Sequence, residues 1–166
     1  VPTYAWYNGV SGQYILGDKI NPNEVTHLNW PMGNRIDPKA KIYPFKIMKG
    51  TQPYDKKSEE IAVPKLFGKG GYWKTFDWAI ALAAGQKAVG KEFSGEFGFA
   101  PTESYWKVNH MVAPKEKALK CIMCHAKDGS GRMAWEEMGY EGDPARKRGI
   151  SRYELKEAYD KALLDQ

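Results

Sequence analysis

Apolar and polar positions along these 166 residues fall into three regimes. In the first, up to about residue 70, short apolar pieces are cut by glycine and proline before any helical period develops. Tyr4-Ala5-Trp6-Tyr7 and Gln13-Tyr14-Ile15-Leu16 flank Asn8-Gly9-Val10-Ser11-Gly12, whose glycines favour a turn, so a small hairpin is predicted. Prolines at 22, 31, 38, 44, 53 and 64 interrupt every candidate helix, and the partial alternation of Lys41 to Met48 predicts an edge strand. The rest of residues 1–70 reads as irregular or extended.

In the second regime the period becomes helical. Trp73, Phe76, Ile80, Ala83 and Ala84 share one face of a helix predicted over Tyr72 to Val89, and Trp78, Leu82 and Val89 add a second strip. A helix that apolar is expected to be well buried, with Gly90 as its stop. Ser94 to Pro101 reads as a loop and Thr102 to Trp106 as a helical turn.

The third regime alternates short helices with loops. Pro114 suits the first position of a helix over Lys115 to His125, because its missing N–H would be unpaired there in any case. Met133 to Met138 reads as a short helix, and Asp143-Pro144 as a cap and first residue of another turn. Ser151-Arg152-Tyr153-Glu154 is a capping box. It opens a terminal amphipathic helix with Leu155, Ala158, Tyr159, Ala162 and Leu163 toward the core. The expected fold is therefore mainly α and loop-rich, with a minor β hairpin. A single domain over 1–166 is expected, irregular over 1–70 and helical and chemistry-bearing over 71–166.

Composition changes this picture little. Six Trp, ten Tyr and six Phe make the chain rich in rings, which suits a flat apolar cofactor or a loop-rich core equally. The net charge of +5 is carried without a basic stripe on a recognisable module, so nucleic-acid binding is not expected. Ala145-Arg146-Lys147-Arg148 is too short for one and reads as a solvated face. A mildly basic surface suits an acidic redox partner or an oxoanion. No apolar run approaches the roughly 18 residues of a membrane span.

The chemistry concentrates in Lys120-Cys121-Ile122-Met123-Cys124-His125, which holds both cysteines and one of the three histidines. C-x-x-C-H is the attachment pattern of c-type haem. Two thiols three positions apart on one turn reach two vinyl groups of one porphyrin, and the next side chain points at the iron. Cys121 and Cys124 are thus expected to bind one covalent haem c with His125 as proximal ligand. A thioredoxin-like motif would need a strand-to-helix context. A zinc site would need a fourth ligand beyond Cys121, Cys124 and His110, and would leave His125 unexplained.

The far side of the iron decides between carrier and catalyst. His110 is the first candidate for distal ligand and His27 the weaker alternative. Met48, Met111, Met133 and Met138 are more often core filling than ligands. Lys107, Lys115, Lys117, Lys120 and Lys127 read as a solvated face or as a docking surface around the haem edge. No catalytic carboxylate pair is assigned, Glu96 and Glu103 being two among twenty acids.

Asn109-His110-Met111-Val112-Ala113-Pro114-Lys115-Glu116-Lys117-Ala118-Leu119, followed by the haem motif, resembles the last haem segment of the octahaem tetrathionate reductase family of c-type cytochromes. Tyr7-Asn8-Gly9, Gly17-Asp18-Lys19-Ile20-Asn21, Ala40-Lys41-Ile42-Tyr43-Pro44-Phe45-Lys46, Gln52-Pro53-Tyr54-Asp55, Pro64-Lys65-Leu66-Phe67-Gly68 and Glu92-Phe93-Ser94-Gly95-Glu96 resemble it in the same order. The resemblance covers most of this chain but only the C-terminal part of the family's length. It implies a periplasmic multihaem protein whose close-packed haems feed a catalytic haem reducing tetrathionate, nitrite or hydroxylamine. One motif stands here where the family has eight, and the family's lysine-ligated catalytic haem lies in the part without a counterpart. Catalysis therefore does not carry over, whereas His110 resembles a family haem ligand, to this haem or to one outside the segment.

The resulting expectation is an electron-transfer c-type cytochrome, alone or as part of a larger multihaem chain or oligomer, working with redox proteins or other haem-bearing chains. The alternatives are a haem-dependent reductase and an assembly subunit. Covalent haem attachment takes place outside the cytoplasm, so a periplasmic or other extracytoplasmic location is expected. Val1-Pro2-Thr3-Tyr4 does not begin like a signal peptide, which suits a mature form or a piece of a longer one.

Overall fold

The computed structural model describes residues 1–109, 113–147 and 149–164. Strand makes up 27% of the chain and helix 21%, which overturns the mainly α expectation. The elements are β1 (Thr3–Tyr7), β2 (Ser11–Gln13), β3 (Thr26–Pro31), β4 (Lys41–Asp55), β5 (Glu60–Ile61), α1 (Tyr72–Thr75), α2 (Trp78–Ala88), β6 (Phe97–Lys107) and α3 (Arg152–Leu164). Single 3-10 turns cover Lys115–Lys117 and Cys121–Met123.

The strands form one sheet in the order β1-β4-β6-β3-β2, with β5 paired to β4 off that path. β1 runs antiparallel to β4, from Thr3 opposite Phe45 to Tyr7 opposite Lys41. β3 runs parallel to β6, and its register shifts between His27 and Asn29. The expected hairpin does not form, because its first arm became β1 while only Gln13 of its second lies in a strand, β2, at the opposite end of the strand order. Nor is the strand beginning at Lys41 an edge, since β4 lies between β1 and β6. Prolines misled the reading of residues 1–70. Pro44 needs no ladder donor to serve β4, and its carbonyl accepts from Val108 N at 3.1 Å.

The chain divides into two compact units. The first comprises residues 1–12, 30–47 and the described part of 105–166. Its centre is Phe45, fully buried, with Tyr43, Tyr7 and Tyr105 around it at centroid distances of 5.7, 5.7 and 5.9 Å. Ala40 and Met138 are buried in the same unit. Trp6 Nε1 donates to Met138 O at 2.9 Å and ties β1 to the segment after the haem motif.

The second unit comprises residues 13–29 and 48–104. Leu82, Ala81, Ala62 and Ala100 are its fully buried apolar residues, and α2 lies close on the 62–65 segment, with Lys65 N donating to Ala81 O at 2.9 Å. The continuous helix expected from Tyr72 is broken. Phe76 adopts the left-handed conformation (φ 53°, ψ 26°) and closes α1, while the Asp77 side chain accepts from Ile80 N and starts α2. The buried face is also the other one. Trp73, Phe76 and Ile80 are 56, 72 and 48% exposed, and Leu82 with Gly85 and Gln86 faces inward. Ser94 to Trp106 holds most of β6 instead of a loop and a helical turn, in keeping with the strand preference of Thr102, Tyr105 and Trp106.

No helix among the described residues is long and apolar enough to cross a membrane.

Candidate functional site

Lys115 to His125 forms two separate 3-10 turns, not the α-helix expected. Ala118 takes φ −58°, ψ 142° and Lys120 φ −95°, ψ 153°, extended conformations that end one turn and precede the next. The second turn still brings the chemistry together. Cys124 N and His125 N donate to Cys121 O at 3.1 and 2.9 Å, so both thiols and the imidazole follow one another around a single turn. Both cysteines are free, Cys121 exposed and Cys124 half-buried.

The loop after the motif folds back on it. Arg132 N donates to Met123 O at 2.8 Å, and a Cβ at Gly131 would come within 2.5 Å of Cys124 O, so the close return requires glycine there. That return places Trp135 flat against His125, with ring centroids 4.9 Å apart and planes 16° from parallel. Trp135 Nε1 donates to Cys124 O at 3.2 Å. Tyr140 packs edge-on to Trp135 at 5.6 Å and carries the Arg35 guanidinium 4.2 Å above its ring. A pocket of about 310 Å³ opens beside the motif, lined by Cys124, Met133, Trp135 and Asp143 among others.

His125 Nδ1 lies 2.6 Å from Asp143 Oδ1. Burial works to raise the Asp143 carboxyl, but the His125 hydrogen bond, the Ala145 N–H and the charges of His125 and Arg146 together bring it below the ordinary aspartate value. A carboxylate can only accept, so Nδ1 is the nitrogen that donates to it, and in the neutral ring Nε2 keeps its lone pair. Arg146 closes the arrangement, with Nη2 donating to His125 O at 2.6 Å and Nε 3.5 Å from Asp143 Oδ2. That Oδ2 is buried and accepts no hydrogen bond among the described residues.

These residues fit a c-type haem. Two free thiols on one turn and an imidazole with Nε2 available are the donors that such a group requires. Leu119, Ile122 and Met123 around them are 52, 54 and 39% exposed, apolar surface that a porphyrin would cover. No group of three or more His, Cys, Asp or Glu side chains that could hold a metal ion occurs among the described residues.

The other candidates fall elsewhere. His110 and Met111 lie outside the described residues. His27 sits on β3 in the second unit, its Nδ1 3.2 Å from Glu103 Oε1, and Lys49 Nζ is 3.8 Å from Glu103 Oε2. Met48 is exposed in that unit, and Met133 is half-buried beside the motif. Of the five lysines, Lys107 is held by Tyr7, donating to its hydroxyl at 3.0 Å, and Lys115, Lys117, Lys120 and Lys127 are exposed. Sequence reading missed Asp143 and Trp135 as partners of His125. Their separations of 18 and 10 residues follow no local period, and only the Asp143-Pro144 turn signal marked the place.

A family model described as bacterial cytochrome c matches residues 1–128. Among solved structures, the octahaem cytochrome c from Shewanella oneidensis is similar to this chain, with a TM-score of 0.85 and 48% sequence identity over 90% of it and 35% of that chain. The chain thus spans about a third of that relative's length. No curated protein matches.

Proposed function

The chain belongs to the bacterial cytochrome c family, and from that premise we propose that it is an electron-transfer unit with one covalent haem c held by Cys121, Cys124 and His125. The observation that carries the reading is the local geometry. The two thiols are free on one turn, and the imidazole beside them already has Nδ1 engaged by Asp143. Cys121 and Cys124 would hold the haem through thioether bonds, and His125 Nε2 would be its iron-ligating nitrogen. The haem supplies one-electron chemistry, and the chain fixes ligand identity, solvent access and nearby charge. One motif supports one haem. His110 is the proposed distal ligand, with His27 in reserve.

Likeness to an octahaem cytochrome c about two and a half times as long supports a relay position within, or beside, a multihaem assembly, and the sequence resemblance points to one of the tetrathionate reductase kind. That assembly would lie in the periplasm or another extracytoplasmic compartment. Reduction of tetrathionate, nitrite or hydroxylamine is favoured only by the sequence resemblance. It would belong to the longer polypeptide, because nothing in this chain beyond the one motif offers a second redox centre.

Mass spectrometry of protein matured by a haem-attachment system tests the central claim. One haem mass is expected on the wild type, one thioether fewer in Cys121→Ala or Cys124→Ala, and no added mass would sink the proposal. Optical spectra test the carrier reading. A six-coordinate low-spin wild type that opens in His110→Ala and not in His27→Ala supports it, and a high-spin wild type that binds nitrite readily overturns it.

A further inference from the structure

We infer that Asp143 is a positioning residue for His125, which orients the imidazole for axial ligation and strengthens it as a donor, so that the reduction potential of the haem is held low. The inference rests on the proposed haem attachment and concerns what this chain does to that group. A neutral backbone carbonyl would suffice to fix an imidazole tautomer. Here the acceptor is a carboxylate at 2.6 Å, in the range of charge-assisted hydrogen bonds. Drawing the Nδ1 proton toward that charge raises the electron density on Nε2, which favours the oxidised iron over the reduced one.

The carboxylate is itself held in place. Ala145 N donates to Asp143 Oδ1 at 2.9 Å, and Arg146 N and Lys147 N both donate to Asp143 O at 2.9 Å, so the turn after Asp143 is closed by its own backbone. The imidazole is constrained in a second direction by the indole of Trp135, nearly parallel to it, and that indole is anchored on Cys124 O. Ring plane and ring rotation are thus set by two different side chains. Arg146 works against the carboxylate, since its guanidinium stands 3.5 Å from Oδ2 and dilutes the negative charge that reaches the ring. A pair kept only to stabilise the fold would respond alike to loss of either charge. A pair that tunes the ligand responds with opposite signs.

The test is a spectroelectrochemical titration of the haem-loaded full chain, wild type beside Asp143→Asn, Asp143→Glu and Arg146→Gln, with haem content measured by mass spectrometry. With haem retained, the potential is expected to rise in Asp143→Asn, to return toward wild type in Asp143→Glu and to fall in Arg146→Gln. An unchanged potential in Asp143→Asn, or shifts of the same sign in Asp143→Asn and Arg146→Gln, would overturn the inference while leaving the haem assignment standing. If Asp143→Asn does not mature, Arg146→Gln decides alone, and a potential that does not fall overturns it. Absence of haem from the wild type would instead overturn the haem reading.

Discussion

Asp55 is almost completely removed from water, yet it is held as a carboxylate. Burial alone would raise it, but Ser58, Ser94 and Lys57 donate backbone N–H groups at 3.0, 2.6 and 2.9 Å and bring its pKa below the ordinary aspartate value. A group depressed in the folded state contributes stability above its unfolded value, about 3.9, and that contribution is lost as pH falls through the folded value. Denaturant titrations from pH 7 to pH 2 should show this acid loss in the wild type and a flatter profile in Asp55→Asn. Asp55→Ala is expected to cost about 1–3 kcal/mol at pH 7, since three N–H groups lose their acceptor. At this scale the haem motif was legible because both thiols and the imidazole lie on consecutive positions of one turn. The fixing of His125 was not, because Asp143 arrives from 18 residues away through a loop.

Helix α2 shows how an element can be recognised and still be turned the wrong way. Its residues carry two apolar strips, so the period alone does not choose which one is buried, and tertiary packing chose the face of Ala81, Leu82, Gly85 and Gln86. Gly85 makes the reason visible. A Cβ there would stand 2.0 Å from Val63 O and 2.6 Å from Lys65 N, so the backbone of the 62–65 segment lies directly on the helix. Gly85→Ala is therefore expected to destabilise by about 1–3 kcal/mol despite the better helix propensity of alanine, as measured by thermal or chemical denaturation. Phe76 offers the opposite case, a bulky, largely exposed residue in the left-handed conformation whose ring meets the edge of Tyr72 at 6.0 Å. Phe76→Gly should stabilise this chain by about 1 kcal/mol, because only glycine adopts that conformation without strain. In α3 the capping box forms as expected, Ser151 N donating to Glu154 Oε2 at 2.7 Å and Glu154 N to Ser151 Oγ at 3.2 Å. Its apolar face does not follow, since Tyr159 and Leu163 remain half exposed.

For the whole molecule, the charge of +5 and the exposed Lys115, Lys117, Lys120 and Lys127 near the motif predict salt-sensitive electron exchange. Stopped-flow oxidation of the haem-loaded protein by an anionic complex should slow as ionic strength rises toward 1 M, where the screening length falls to about 3 Å. A rate indifferent to salt would remove any docking role for these lysines. Local chemistry was determined by the sequence itself. The Cys121 to His125 spacing and the Ser151 to Glu154 capping box act over a few bonds, where covalent geometry decides. Tertiary structure decided the rest. It set the strand order, the inward face of α2, the replacement of a helix before the motif by two 3-10 turns, and the seating of His125 between Trp135 and Asp143. Each of these depends on what a residue meets from a distant part of the chain, and neither local propensity nor hydrophobic period carries that information.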